Sequence, residues 1–156
     1  MNYHLYIDMD GVLADFDSYV TDANGGIHPN NDGTSVWKHI HPGSFFDFNI
    51  MKDARTLWDY VLPHNPVIMT ATGHSIQWAG NEKIAWAARW FDHHAVITCM
   101  DGKDKIGLIK AIDIHKSILV DDRSKAIDPW IDAGGIGILH TSAEESINQL
   151  KIYLGT

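Results

Sequence analysis

The chain has 156 residues, of which 45% are hydrophobic and 21% charged, and its net charge is −8 at neutral pH. This composition is that of one soluble globular domain with a sizeable core, and the negative charge argues against long nucleic acid or an anionic membrane as a partner. A single cysteine, Cys99, excludes an internal disulfide. No signal peptide or membrane-spanning apolar run is visible, so we expect a cytoplasmic protein.

Short apolar segments alternate with helical patterns along the chain. The segments typical of strands buried on both faces are 3–8, 66–70, 95–98, 117–121 and 135–139. The helical patterns cover 76–91, 124–133 and a last helix that opens at Ser142, where Glu145 completes a capping box. This alternation predicts a three-layer α/β/α fold of the Rossmann-like type, with a parallel sheet between two helix layers.

One segment interrupts this alternation. Residues 24–50 are rich in glycine, asparagine and histidine and also carry Trp37, Phe45, Phe46 and Phe48. A loop of this length in a compact domain is usually functional. We therefore expect residues 1–156 to form one domain in which residues 17–60 are a small cap insertion after strand 1. Its aromatic side chains either stack on a nucleobase or form the core of the insertion itself.

Polar side chains stand where the predicted strands end. They are Asp8 and Asp10 after the first strand, Thr70 after the second, Lys103 and Lys105 after the third, and Asp121 and Asp122 after the fourth. The carboxyl ends of parallel strands share one edge of the sheet, where ligands bind. Several carboxylates with a lysine and a hydroxyl predict a site for Mg²⁺ and phosphate.

These groups suit phosphoryl transfer. One carboxylate can attack phosphorus and form an aspartyl phosphate, and a second acid can protonate the leaving oxygen and later activate water. Mg²⁺ would neutralise the carboxylates that otherwise repel phosphate. His74 lies just past Thr70 and is a candidate for substrate contact. Lys83, which follows Glu82 at a helix start, is equally compatible with a structural and a functional role.

The motif Asp8-Met9-Asp10-Gly11-Val12 resembles the first motif of the haloacid dehalogenase (HAD) superfamily of phosphohydrolases. Thr70, Lys105 and the pair Asp121-Asp122 resemble its second, third and fourth motifs. Within the superfamily, the chain is most similar to the 5′(3′)-deoxyribonucleotidase group and its short bacterial and phage relatives. The segments that carry this similarity are 8–16, Glu82-Lys83 with Trp86, Asp104-Lys105 and 119–123.

The resemblance implies a role for each acidic residue. Asp8 would be the nucleophile and Asp10 the general acid and base. Mg²⁺ would be bound by the Asp8 carboxylate, the Asp10 backbone carbonyl and Asp122, while Asp121 would orient a metal-bound water. Which member of the Asp121-Asp122 pair binds the metal directly stays open.

The resemblance also implies the groups that bind substrate. Thr70, the Ala71 amide and Lys105 would bind phosphate, with Lys103 as the alternative lysine, and Phe16 would line a base pocket. The chain departs from the nucleotidases in its shorter, glycine-rich insertion. It also departs in the long stretch between Lys105 and Asp121, for which we expect an extra helix over residues 105–112.

The expected function is that of a Mg²⁺-dependent phosphomonoester hydrolase whose favoured substrate is a small nucleoside or deoxynucleoside monophosphate. A sugar phosphate or the 3′-phosphate of a nucleic-acid end is the alternative substrate. A non-enzymatic phospho-acceptor domain is a further alternative. It is disfavoured because its acceptor aspartate ends the third strand, where this chain has Thr98-Cys99.

Overall fold

The computed structural model describes residues 2–73, 78–110 and 113–155. The strands are β1 (His4–Ile7), β2 (Val67–Ala71), β3 (Val96–Cys99), β4 (Ser117–Asp121) and β5 (Ile136–Leu139). The α-helices are α1 (Phe16–Ala23), α2 (Pro29–Asp32), α3 (Ser44–Asp47), α4 (Ala54–Val61), α5 (Ala79–Phe91), α6 (Ser124–Asp132) and α7 (Ala143–Leu154). Short 3₁₀ helices cover Val36–His39, Leu62–His64, Gly102–Leu108 and Ile114–Lys116. Within the described residues, no helix is long and apolar enough to cross a bilayer.

The five strands form one sheet in the order β3-β2-β1-β4-β5, and every neighbouring pair is parallel. This confirms the predicted α/β architecture. The chain adds strands outward from β1 on one side and then crosses to β4 on the other. The order therefore reverses between β1 and β4, and a crevice opens there beyond the carboxyl ends of the strands.

The centre of the sheet is buried, but its edges are not. All five residues of β4 are buried, as are Leu5 and Ile7 of β1. The prediction that every strand is buried on both faces is wrong for β3 and β5, where Ile97 and Leu139 are exposed. These strands lie at the two edges of the sheet, where fewer neighbours cover them.

The helix ends follow local signals. Ser142 caps α7, since its Oγ accepts a hydrogen bond from the Glu145 amide at 3.2 Å, and the predicted capping box is confirmed in this respect. The predicted extra helix over residues 105–112 is present only in part and begins earlier than predicted. A 3₁₀ helix runs from Gly102 to Leu108, after which Ile109 is extended, and residues 111 and 112 lie outside the described part of the chain.

Helix α5 is hydrogen-bonded to residues 43–48, near the middle of the predicted insertion. The Glu82 carboxylate accepts hydrogen bonds from the amides of Gly43 at 2.6 Å and Phe45 at 3.2 Å, at the start of α3. One turn further along α5, the Trp86 indole donates to the Phe48 carbonyl at 2.8 Å. Residues 43–48 are thus bonded directly to a helix of the main domain.

The aromatic residues of the insertion divide into two groups. Phe45 and Phe48 are buried and pack edge to face with ring centroids 5.1 Å apart. Trp37 and Phe46 are exposed, Trp37 by 51%. Phe45 and Phe48 belong to the main hydrophobic core and not to a separate core of the insertion, whereas stacking of an exposed aromatic such as Trp37 on a nucleobase stays a prediction.

We expect Trp86→Phe to destabilise the protein. The substitution removes the indole donor and leaves the buried Phe48 carbonyl unpaired, which costs about 1–3 kcal/mol. Urea denaturation measures the loss, and hydrogen exchange should increase in residues 43–48. Trp90→Phe is the matched control, because the Trp90 indole nitrogen has no hydrogen-bond partner among the described residues. Equal losses in the two variants would contradict the prediction.

Candidate active site

The first two aspartates enter the crevice through a tight turn after β1. The Asp8 amide donates to the Val120 carbonyl at 2.9 Å, so the pairing with β4 continues up to the first carboxylate. The chain then folds back, and the Ala14 amide donates to the Met9 carbonyl at 2.8 Å. This turn places Asp8 and Asp10 on the wall of the same cleft.

Gly11 makes this turn possible for two reasons. Its φ is +81°, in the left-handed region that glycine adopts without strain. A Cβ at this position would also collide with the carboxylate of Asp122. The sequence Asp10-Gly11 therefore brings the end of β1 against the end of β4.

The cleft has a volume of about 710 Å³. Its inner wall is formed by residues at the ends of β1, β2 and β4 and by one lysine of the 3₁₀ helix Gly102–Leu108. They are Asp8, Asp10, Ala71, Asp121, Asp122 and Lys105. Its outer wall includes Phe16, Asp17, His28, Asn30 and Trp37 from the insertion and its border. The predicted convergence of the strand ends is thus present in the structure.

Lys105 joins two of the aspartates. It is 2% exposed, and its Nζ donates to Asp8 Oδ1 and to Asp121 Oδ2, both at 2.6 Å. Burial alone would lower the pKa of Lys105, but the carboxylates of Asp8 and Asp121 outweigh this and raise that pKa above its usual range. Lys105 is therefore a permanent cation in the inner wall of the cleft, whereas Lys103 is exposed.

Asp10 is paired with a different lysine. Lys83, on α5, is fully buried, and its Nζ forms an ion pair with Asp10 Oδ2 and donates to Thr70 Oγ1 at 3.0 Å. Burial raises the pKa of Asp10, and the charge of Lys83 only partly offsets this. An aspartate that keeps a proton more readily than usual is suited to act as an acid.

Three carboxylates lie close enough to share a cation. Oxygens of Asp8, Asp121 and Asp122 all lie within 4.8 Å of one another. Burial and the charge of Asp8 raise the pKa of Asp121 to about 6. Loss of hydration in the cleft, with the charges of Asp8 and Asp121, raises the pKa of Asp122 to about 7. These mutually repelling oxygen donors fit a hard divalent cation such as Mg²⁺.

The two neighbouring aspartates at the end of β4 differ in the partners of their carboxylates. Both oxygens of Asp121 accept hydrogen bonds within the protein, one from Lys105 and one from the Arg123 amide at 2.9 Å. Asp122 is exposed and lies over Gly11. Of the pair, Asp122 is therefore better placed to bind a cation directly, and Asp121 to orient Lys105.

The remaining candidate residues have mixed placements. Ala71 and Phe16 line the cleft, and the Phe16 ring packs against Trp37 with centroids 6.2 Å apart. Thr70 is fully buried, and its hydroxyl accepts the hydrogen bond from Lys83, so its role as a phosphate ligand stays a prediction. His74 lies outside the described residues.

Lys83 is the site residue that the sequence analysis left undecided. Its position carries a signal that points to the site. The buried residues of α5 are Ala79, Lys83, Trp86, Ala87 and Phe91, so the lysine lies on the apolar stripe of the helix. A lysine on such a stripe needs a buried anionic partner.

No protein-family model and no curated protein matches the chain. Solved structures match it in fold. An L-2-haloacid dehalogenase from Xanthobacter autotrophicus, with chloropropionic acid covalently bound, is 13% identical with a TM-score of 0.60, covering 100% of this chain and 85% of that one. A predicted phosphatase from Clostridium acetobutylicum is 13% identical with a TM-score of 0.59, covering 95% and 91%.

A third structure, a hydrolase from Streptococcus pneumoniae TIGR4, is 16% identical with a TM-score of 0.56 and covers 100% of both chains. At these identities the similarity concerns the fold alone. The chain shares the HAD-like α/β fold of these structures. The nucleotidase subgroup stays a prediction.

We expect stability in the absence of divalent cations to fall as pH rises from about 4 to about 7. In this window the folded state keeps a proton on Asp122, whose pKa is about 7, that the unfolded state has lost. The folded state therefore binds more protons, and raising the pH favours unfolding. Melting temperatures of the wild type and Asp122→Asn measure the effect, since the variant should lack this part of the slope.

Mg²⁺ should counteract the fall in stability at higher pH, because the ion binds ionised carboxylates. At a hundredfold excess over its dissociation constant the stabilisation is about 2.7 kcal/mol, a rise of roughly 5–10 °C in melting temperature. The rise should be larger at pH 8 than at pH 5 and should be reduced in Asp122→Asn. A rise that is independent of pH and of Asp122 would place the ion elsewhere.

Proposed function

We propose that the protein is a Mg²⁺-dependent phosphomonoester hydrolase that works through an aspartyl phosphate on Asp8. The observation that carries this proposal is one cleft in which oxygens of Asp8, Asp121 and Asp122 lie within 4.8 Å of one another and Lys105 bonds both Asp8 and Asp121. The similarity in fold to structures described as hydrolases and a predicted phosphatase is consistent with it.

In the first step, a carboxylate oxygen of Asp8 forms a bond to phosphorus while the bond from phosphorus to the ester oxygen breaks. The electron pair leaves on the ester oxygen, which takes a proton from Asp10. The raised pKa of Asp10 favours the protonated form that this step needs. The products of the step are the free alcohol and the aspartyl phosphate.

In the second step, a water oxygen bonds to phosphorus and the acyl phosphate bond breaks, which regenerates the Asp8 carboxylate. Asp10 now accepts the proton of the water. The Lys105 cation stabilises negative charge on the transferring group. A Mg²⁺ ion bound by Asp8 and Asp122, and by the Asp10 carbonyl as the resemblance implies, supplies charge neutralisation for an anionic substrate.

The outer wall of the cleft supports a nucleoside monophosphate as the favoured substrate, with residues 17–60 as the cap that selects it. The Trp37 ring is 51% exposed and packs against Phe16 on the insertion side. The Trp37 ring also lies close to Gly73, where a Cβ would stand 3.6 Å from it. An exposed aromatic face at this position suits stacking on a nucleobase.

A sugar phosphate is the second candidate substrate. The same wall carries Asp17, His28 and Asn30, whose side chains can bind hydroxyl groups. A stable phospho-acceptor domain is the least favoured alternative, because Asp10 lies on the cleft wall beside Asp8 as an acid and base for turnover.

We expect Asp8→Asn to abolish phosphate release. The amide oxygen is a far weaker nucleophile than the carboxylate, so the aspartyl phosphate cannot form and activity should fall by at least about 10³-fold. Malachite-green detection of phosphate from a panel of nucleotides and sugar phosphates, with Mg²⁺, measures this. Retention of full activity in the folded variant would remove Asp8 as nucleophile.

Trp37→Ala tests the substrate class. Loss of base stacking worth about 1–3 kcal/mol should raise KM for a nucleoside monophosphate by roughly 5- to 150-fold. KM for glycerol phosphate, which has no base, should be unchanged. Phe46→Ala is the matched control, because Phe46 is an exposed aromatic of the insertion that is not among the cleft-lining residues. An equal rise for both substrates would argue against stacking on Trp37.

A further inference from the structure

Lys83 has an unusual environment for a lysine. Its side chain is fully buried, and its Nζ contacts three groups: the Asp10 carboxylate, the Thr70 hydroxyl at 3.0 Å, and the Phe45 ring at 4.6 Å from the centroid. A buried lysine is destabilising unless it is paired, so the ion pair with Asp10 is what allows it here. The contact joins α5 to the ends of β1 and β2.

The two oxygens of Asp10 have different partners. Oδ2 is held by Lys83, whereas Oδ1 is buried without a hydrogen-bond partner among the described residues. Leaving a buried polar atom unpaired costs about 1–3 kcal/mol. The Asp10 side chain as a whole nevertheless lines the cleft and is 27% exposed, so the carboxyl that Lys83 holds lies beside the space that a ligand would occupy.

We propose that Lys83 is a positioning residue that fixes the Asp10 carboxyl at the cleft, where Asp10 protonates the departing ester oxygen. This inference rests on the proposed function. When the bond from phosphorus to the ester oxygen breaks, the proton of the Asp10 carboxyl moves to that oxygen and Asp10 becomes a carboxylate beside the Lys83 cation. Lys83 itself exchanges no proton and touches no substrate.

The surroundings of Lys83 keep it in place. Phe45, 1% exposed, covers the ammonium group, and its own backbone amide is held by Glu82, the neighbour of Lys83 on α5. A long side chain fixed on several sides loses little further freedom when the reaction occurs. The position of the acid is therefore set before substrate binds, which is the condition for efficient proton transfer.

A purely structural lysine would neutralise Asp10 without directing its proton, and leaving groups of different basicity separate the two roles. A nitrophenolate leaves without a proton, whereas an alkoxide requires one. The value of kcat/KM reports the steps through the first irreversible bond cleavage. It therefore measures this proton transfer and not the later attack of water.

The experiment compares kcat/KM for p-nitrophenyl phosphate and for an alkyl phosphate such as glycerol phosphate, in wild type and Lys83→Met. We expect a loss of roughly 100-fold for the alkyl ester and about threefold or less for the aryl ester, because a general acid contributes about 10²–10⁴-fold where it is needed. Lys83→Arg, which keeps the cation and its donors, should restore most of the alkyl activity.

Two further variants control for stability and charge. Trp130→Phe removes a buried hydrogen bond from the indole to the Ser117 carbonyl at the start of β4, 3.2 Å long, and should lower both activities by the same factor. Lys151→Met removes an exposed lysine of α7 and should change neither. Circular dichroism checks folding, and if Lys83→Met does not fold, Lys83→Gln, which also lacks the charge, replaces it with the same expectation.

Equal losses for the two esters in the folded Lys83 variant, or no loss at all, would overturn the positioning role while leaving the phosphatase intact. A wild-type protein that releases phosphate from neither ester, nor from the wider panel of phosphomonoesters, would instead overturn the proposed function, and this inference with it.

Discussion

The site depends on the neutralisation of crowded carboxylates by two buried lysines. The ends of β1 and β4 place three carboxylates in one cleft, those of Asp8, Asp10 and Asp121. Ionised carboxylates that lie this close together repel one another. Lys105 is shared by Asp8 and Asp121, and Lys83 is paired with Asp10. The two lysines have different roles under the proposed function. Lys105 lies among the groups proposed to bind phosphate and metal, and Lys83 holds Asp10, the proposed acid.

The topology explains why these charges meet where they do. β1 and β4 are neighbours at the point where the strand order reverses, so the residues that follow them face one crevice. The alternation of apolar segments and helices predicted only that the strand ends share one edge of a parallel sheet; the strand order comes from the structure. Asp8, Asp121 and Lys105 were accordingly identified from sequence as members of one site.

The features that sequence missed depend on contacts between distant segments. Lys83 could not be assigned because its partner Asp10 lies 73 positions away, although its place on the apolar stripe of α5 was a usable signal. The exposure of β3 and β5 depends on which strands become edges, which apolar composition does not specify. Lys105, in the 3₁₀ helix over residues 102–108, likewise contacts Asp8, which lies 97 positions away, and Asp121.

The hydrogen bonds from α5 to residues 43–48 distinguish two parts of the predicted insertion, which differ in how strongly their sequences are constrained by the site. Phe45 covers Lys83, which is paired with Asp10. A substitution in residues 43–48 that moves Phe45 therefore alters the surroundings of the proposed acid. Residues 24–40 supply Trp37, His28 and Asn30 to the outer wall of the cleft. None of these three is among the groups that Lys83 contacts, which are Asp10, Thr70 and Phe45. Under the proposed function, substitutions at Trp37, His28 or Asn30 would change what the outer part of the cleft binds while leaving the partners of Asp10 and Lys83 in place.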